Sequence, residues 1–268
     1  MSLQPRSVSY VFDNAGTQTR SRFAALATIF DPGTVHHLTE LGVGEGWRCL
    51  EVGAGGGSIA AWLCGRVGPT GAVVATNVDT RFLETLDYPN LEVRRHDVVS
   101  DSLPESRFDL IHTRLVLMHL PDRDRALPRL VTALKPGGWI LAEEFDSLSV
   151  RPDPAANPAE TACKALLVLH EVLAEHGVDL RYGRRLAGCF RACGLNEVSA
   201  EGRMFLWPGR SAGAELLRAN FEQLRGAMLA SGRITAAELE RDLARLAEDD
   251  FQMPSAIMWA TSGRRPTA

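Results

Sequence analysis

Lysine is almost missing from this 268-residue chain: of 29 basic residues only Lys135 and Lys164 are lysine, so nearly every positive charge is a guanidinium. The positive charge is also outnumbered, for the net charge is −4. That argues against the basic face of a nucleic-acid-binding domain, and no nucleic-acid partner is expected. No apolar run approaches the roughly 20 residues of a membrane span. The first residues lack the apolar core of a secretory signal. These absences predict a cytoplasmic protein with no membrane partner. Cysteine is sparse: Cys49, Cys64, Cys163, Cys189 and Cys193 are scattered and odd in number, which disfavours a disulfide framework. Cys189 and Cys193 stand one helical turn apart with no second Cys or His pair, so no metal is expected.

What is abundant is glycine in one place. Cys49-Leu50-Glu51-Val52-Gly53-Ala54-Gly55-Gly56-Gly57-Ser58 is an apolar run that stops at an acid and breaks into glycines. Ile59 to Leu63 then reads as a helix start. A strand, a tight turn and a helix N-terminus in succession let backbone approach a ligand closely and present free N–H groups to it. The dinucleotide fingerprint G-x-G-x-x-G fits at Gly53 and Gly55 but fails at Ser58.

Further strands follow at Ala72–Thr76, Leu91–Arg95, Phe108–Thr113 and Trp139–Glu144, with a helix from Asp122 to Leu134. Strands alternating with helices predict a parallel sheet covered on both faces. Ligands in such sheets bind at the carboxyl ends of the strands, where Glu51, Asn77, Asp97, Thr113 and Glu144 fall.

Glu51-x-Gly53-x-Gly55-x-Gly57 resembles the first motif of class I S-adenosylmethionine (SAM)-dependent methyltransferases. Leu134-Lys135-Pro136-Gly137-Gly138 before a strand, and His119-Leu120-Pro121-Asp122 after strand 4, resemble the ubiquinone/menaquinone-biosynthesis (UbiE-like) and small-molecule branch. The resemblance implies a Rossmann-like, seven-stranded, mostly parallel sheet with an antiparallel final strand. It implies SAM as methyl donor and S-adenosylhomocysteine as product. It places Glu51 at the methionine end, with Gly53, Ala54, Gly55 and Gly57 under the nucleoside. It places His96, Asp97 and Val98 at the adenine, and Thr113 and Arg114 at the end of strand 4. The usual ribose acid is replaced by Asn77, followed by Val78 and Asp79; Asn brings an NH₂ and no charge, so Asp79 is the substitute acid or SAM is held less tightly. Tyr10, Gln18 and Arg22 match an N-terminal pattern of the same branch, with Arg22 suited to the SAM carboxylate.

The chain divides on this reading into an N-terminal helical cap at 1–44, a SAM-binding core at 45–150, and a segment at 151–268 that completes the sheet around an inserted helical lid. The cap has helices at Phe23–Phe30 and Thr34–Leu41, split by Asp31-Pro32-Gly33. A proline-rich linker, a helix from Pro158 to His176 and another from Gly183 to Cys193 open the last segment. Strands at Glu197–Trp207 and Phe251–Thr261 flank two helices, the second with a Thr235/Glu238 capping box. The acceptor is a small organic molecule such as a secondary metabolite, and the protein a monomer or homodimer. The alternatives are an RNA or protein acceptor, or SAM binding without methyl transfer. His119 and Glu144, with Asp146 behind, are the candidate bases.

Overall fold

A computed structural model describes Phe12, residues 18–150 and residues 163–267. Tyr10, the 151–162 linker and the start of the helix expected at Pro158 lie outside the described residues.

The central sheet has seven strands: β1 (Arg48–Val52), β2 (Ala72–Asn77), β3 (Leu91–Arg95), β4 (Phe108–Arg114), β5 (Leu134–Asp146), β6 (Asn196–Arg203) and β9 (Ile257–Arg264). Their order is β3-β2-β1-β4-β5-β9-β6. β9 runs antiparallel to β5 and β6; the other pairings within this sheet are parallel. β1, β2 and β4 are buried on both faces, and β2 in particular reads as a nearly continuous apolar run.

Helices α2 (Ser58–Val67) and α1 (Thr19–Glu40) close one face over Leu63, Val67, Val73, Leu110 and Leu141. The opposite face carries α3 (Arg123–Ala133) and, further along the chain, α5 (Tyr182–Ala192), and their apolar cluster continues into α4 (Lys164–Glu175) and α6 (Ala212–Ala230). α1 serves both: Ala25 and Phe30 belong to the second cluster and Leu38 to the first.

The split of the N-terminal segment into two helices is corrected by the structure. α1 runs unbroken through Pro32. An interior proline costs roughly 3 kcal/mol, and tertiary packing on both sides offsets it, since a fully buried Leu or Phe contributes about 1.5–3 kcal/mol. Phe30 and Leu38 are both buried. The residues that look like a stop have tertiary roles instead. Asp31 pairs with Arg114 at 2.7 Å, and a side chain on Gly33 would lie 2.9 Å from the Arg203 guanidinium.

The two C-terminal strands are also redrawn. Each is broken, so that β7 (Leu206–Pro208) and β8 (Gln252–Pro254) leave the sheet and form a separate ribbon. The corner is made by Ser255, whose N–H donates to the Phe205 carbonyl at 2.7 Å while its hydroxyl accepts from the Phe205 N–H at 2.9 Å. The final helix, α7 (Ala236–Arg245), begins with the expected Thr235/Glu238 capping box. Asp242 on it accepts from the N–H of Ala165, at the start of α4, at 2.7 Å. A carboxylate there satisfies one of the unpaired donors of a helix N-terminus.

α6 packs between α1 and α4, with Leu216, Leu217, Phe221 and Leu224 buried. Arg22 Nε donates to Asn220 at 3.0 Å and Gln223 donates to Thr19 at 3.0 Å, fastening α6 to α1.

Candidate active site

The glycine turn after β1 works as its composition requires. Gly53, Gly55 and Gly57 all have positive φ, at 67°, 53° and 83°. A side chain on Gly53 would also sit 2.2 Å from Val116. The turn opens onto a cavity of about 860 Å³ at the carboxyl ends of β1, β2 and β4. Glu51, Gly53, Ala54, Gly55, Asn77, Val78, His96, Asp97, Val98, Arg114, Arg22 and His119 all line it. Phe23 and Phe82, edge to face at 5.4 Å, and Val116 complete its apolar surface.

Several residues expected at the site are placed elsewhere. Gly57 turns to packing: a side chain there would meet Leu86 at 2.6 Å. Gln18 is the N-cap residue of α1, and its carbonyl accepts from the Arg22 N–H. Asp79 is committed to Arg81, at 3.0 Å, rather than to the cavity. Asn77 remains in the wall, with its side chain also closing the local turn: its amide donates to the Asp79 carbonyl at 2.9 Å and its oxygen accepts from the Val78 N–H at 3.0 Å. Arg114 reaches the cavity while bound to Asp31 and, at 2.8 Å, to Thr34.

Thr113 and Glu144 are fully buried and absent from the cavity wall. Successive residues of a strand face opposite sides, so Thr113 and Glu144 lie on the opposite face from Glu51 and His112. Glu144 is a brace. Its carboxylate accepts from the N–H groups of Val116, Leu117 and Met118 at 3.1, 2.7 and 3.3 Å. Burial pushes its pKa up to about 8 against the pull of those three donors. Asp146 is taken by Arg184 at 2.6 Å.

His119 does line the cavity, edge to face with Phe12 at 6.0 Å. Burial, with the charges of Arg22 and Arg123, lowers its pKa to about 3, so it is a neutral imidazole at physiological pH.

A second, smaller cavity of about 80 Å³ adjoins the first. Its wall is largely apolar, with Leu166, Leu169, Trp207, Leu217 and Met253 among its residues. Arg22, Leu26, Leu115 and His119 belong to both cavities. Arg22 is buried, its guanidinium stacked 4.1 Å from the Phe12 ring, and its Nη1 has no hydrogen-bond partner among the described residues. The same holds for Nε2 of the buried His96. Polar atoms left over in a cavity wall are available to a ligand.

Sequence reasoning missed His112 and Glu143. His112 is fully buried between Glu51 and Glu143. The signal for it was a titratable residue directly after the apolar Leu110 and Ile111 in a central strand, where burial tolerates it only with partners.

Residues 17–200 match the methyltransferase domain family. The chain belongs to the class I SAM-dependent methyltransferases. It is 28% identical over 169 residues to methyltransferase str3 of Strobilurus tenacellus, covering 62% of this chain and 59% of that one. It is 32% identical over 117 residues to the ubiquinone/menaquinone biosynthesis C-methyltransferase UbiE of Laribacter hongkongensis, covering 41% and 48%. The chain thus spans about half the length of the curated relatives it matches. The fold is shared with Haemonchus contortus phosphoethanolamine N-methyltransferase 2, solved with S-adenosyl-L-methionine, at a TM-score of 0.60 and 18% identity over 98% of this chain and 61% of that one. Among the described residues no helix is long and apolar enough to cross a membrane, and no cluster of His, Cys, Asp or Glu could hold a metal.

Proposed function

We propose that this protein transfers a methyl group from SAM to a small, largely apolar organic acceptor. The observation that carries the reading is the meeting of the two cavities at Arg22, Leu26, Leu115 and His119. The larger one has the size and donor set for the methyl donor. Glu51 is the acid for the ammonium of its methionine end, and the spare Nη1 of Arg22 suits its carboxylate. Asn77 stands for the ribose, and His96, Asp97 and Val98 for the adenine. When bound, SAM supplies an electrophilic methyl on its sulfonium. The smaller cavity takes the acceptor, with the α4 and α6 side chains forming its roof and keeping water out.

His119 orients the acceptor rather than deprotonating it, because an imidazole with so low a pKa is a weak base. Glu144 is spent on the backbone. The acceptor therefore brings a ready nucleophile, such as an amine, an acidic hydroxyl or an activated carbon, and catalysis is chiefly positioning. No nucleic acid and no metal take part in this reading.

The helices over the acceptor cavity share the main core, so point changes test this better than excision. Glu51→Ala should weaken S-adenosylhomocysteine binding strongly by calorimetry. Leu217→Trp should fill the smaller cavity, leaving that binding intact while abolishing methyl transfer in a screen of small acceptors. Absence of S-adenosylhomocysteine binding by the unaltered chain, or undiminished turnover in Leu217→Trp, would defeat the reading.

A further inference from the structure

Behind Glu51 lies a run of buried side chains that the cavity wall does not expose. His112 sits beside Glu51 in the register of β4 and β1. Its Nδ1 is 2.6 Å from a Glu51 carboxylate oxygen and its Nε2 3.1 Å from Glu143 on β5. The Thr34 hydroxyl of α1 donates to that same Glu143 oxygen. Arg114 donates to Thr34 at 2.8 Å and pairs with Asp31, also on α1, at 2.7 Å. His112, Glu51, Glu143 and Thr34 are all buried.

We propose that His112 is a positioning residue for the methyl donor: it fixes the Glu51 carboxylate from behind and ties it, through Glu143 and Thr34, to the helix that walls the same cavity. This rests on the reading that the methionine end of SAM meets Glu51.

The chemistry of the triad supports it. A neutral imidazole has one N–H, yet both ring nitrogens here face carboxylates. Only the doubly protonated ring donates to both. Burial by itself would keep the ring neutral, but the Glu51 charge and the hydrogen bonds to both acids outweigh it and push the pKa up to about 9. The ring also separates two carboxylates that would otherwise repel each other across a dry interior. Held in this way, Glu51 has its orientation set before any ligand arrives. Preorganisation of that kind spares the ordering cost at binding.

The test uses two ligands that differ only at the end Glu51 would touch. S-adenosylhomocysteine carries the amino-acid ammonium and carboxylate; methylthioadenosine lacks both. The full chain is compared with His112→Leu, and with His112→Leu combined with Glu143→Leu. The second variant removes the stranded acid that could hinder folding of the first. Calorimetry should show S-adenosylhomocysteine binding weakened about tenfold to a hundredfold, the range for a hydrogen bond to a charged group, with methylthioadenosine unchanged. Adding Glu51→Gln to either variant should then cost little more, because the two residues act as a unit. Equal weakening of both ligands would assign His112 a merely structural role and overturn the proposal, as would no weakening of either. A wild-type chain that binds neither ligand would overturn the methyltransferase reading itself, a distinguishable result.

Discussion

Glu143 and Glu144 are neighbours on β5, both fully enclosed, and their surroundings could hardly differ more. Glu143 points to the face covered by α1 and α2. There His112, Arg114 and the Thr34 hydroxyl hold its pKa below the usual carboxylate range against the penalty of burial. Glu144 points to the other face. Its close partners are backbone N–H groups, and burial pushes it up to about 8. The two histidines divide in the same way. His112 is raised to about 9 between two acids, whereas burial and two nearby guanidinium groups lower His119 to about 3. One side of the site is thus built from acids and bases balanced against one another, and the other from a largely apolar wall in which the imidazole stays neutral beside positive charge. The lesson is one of allocation. On the proposed reading, a cationic methyl donor gains from a fixed anion at Glu51. On the same reading, an apolar acceptor gains from a wall made largely of apolar side chains.

The largest expected effect comes from breaking the neutral side. Glu144→Ala leaves three buried N–H groups of the Val116–Met118 turn without an acceptor and opens a cavity beneath it. Losses of this kind run to about 3–5 kcal/mol, and chemical denaturation should show a drop of that order. A loss near zero would mean that the turn holds itself.

A middle-sized effect concerns pH. The folded pKa of His112, about 9, lies above the ordinary histidine value of 6.5. Its stabilising contribution is therefore complete below pH 6.5 and disappears as pH rises through 9. His119 has the opposite sign: its folded value of about 3 lies below 6.5, so its contribution is present above pH 6.5 and is lost as pH falls toward 3. Thermal unfolding between pH 6 and pH 10 should fall more steeply for the wild type than for the chain with His112→Leu and Glu143→Leu. Parallel curves would remove His112 from the charged side.

The smallest effect sharpens the comparison at the ribose. Asn77→Asp adds a charge to the cavity wall but cannot donate to the Asp79 carbonyl as the Asn amide does. The gain and the loss nearly balance, so S-adenosylhomocysteine should bind tighter by about 1 kcal/mol at most. Weaker binding would show that the turn matters more than the charge.

The sheet and the cofactor turn were legible because their causes are local. Strands buried on both faces, glycines at positive φ and an acid at a strand end all leave marks within a few residues. The triad leaves none of that kind: His112 lies 61 positions from Glu51 and 31 from Glu143, and they meet only once β1, β4 and β5 are laid side by side. Glu144 was misjudged because placing a residue at a strand end does not say which face it takes; one step along the strand separates a cavity acid from a buried brace. Pro32 was misjudged for the opposite reason. Its local cost is real, but packing around Phe30 and Leu38 outweighs it.

That proline has a consequence for motion. Without an N–H at position 32, the carbonyl of Thr28 lacks its usual rung, so the continuous α1 is one backbone hydrogen bond short at that point. Arg20, Arg22, Phe23, Ala24, Leu26 and Ala27, before the proline, wall the large cavity; Thr34, after it, is anchored to the triad through Glu143. Amide exchange along this single helix is therefore expected to be uneven, slower around Thr34, which is held to Glu143 behind Glu51, than in the turns that wall the cavity.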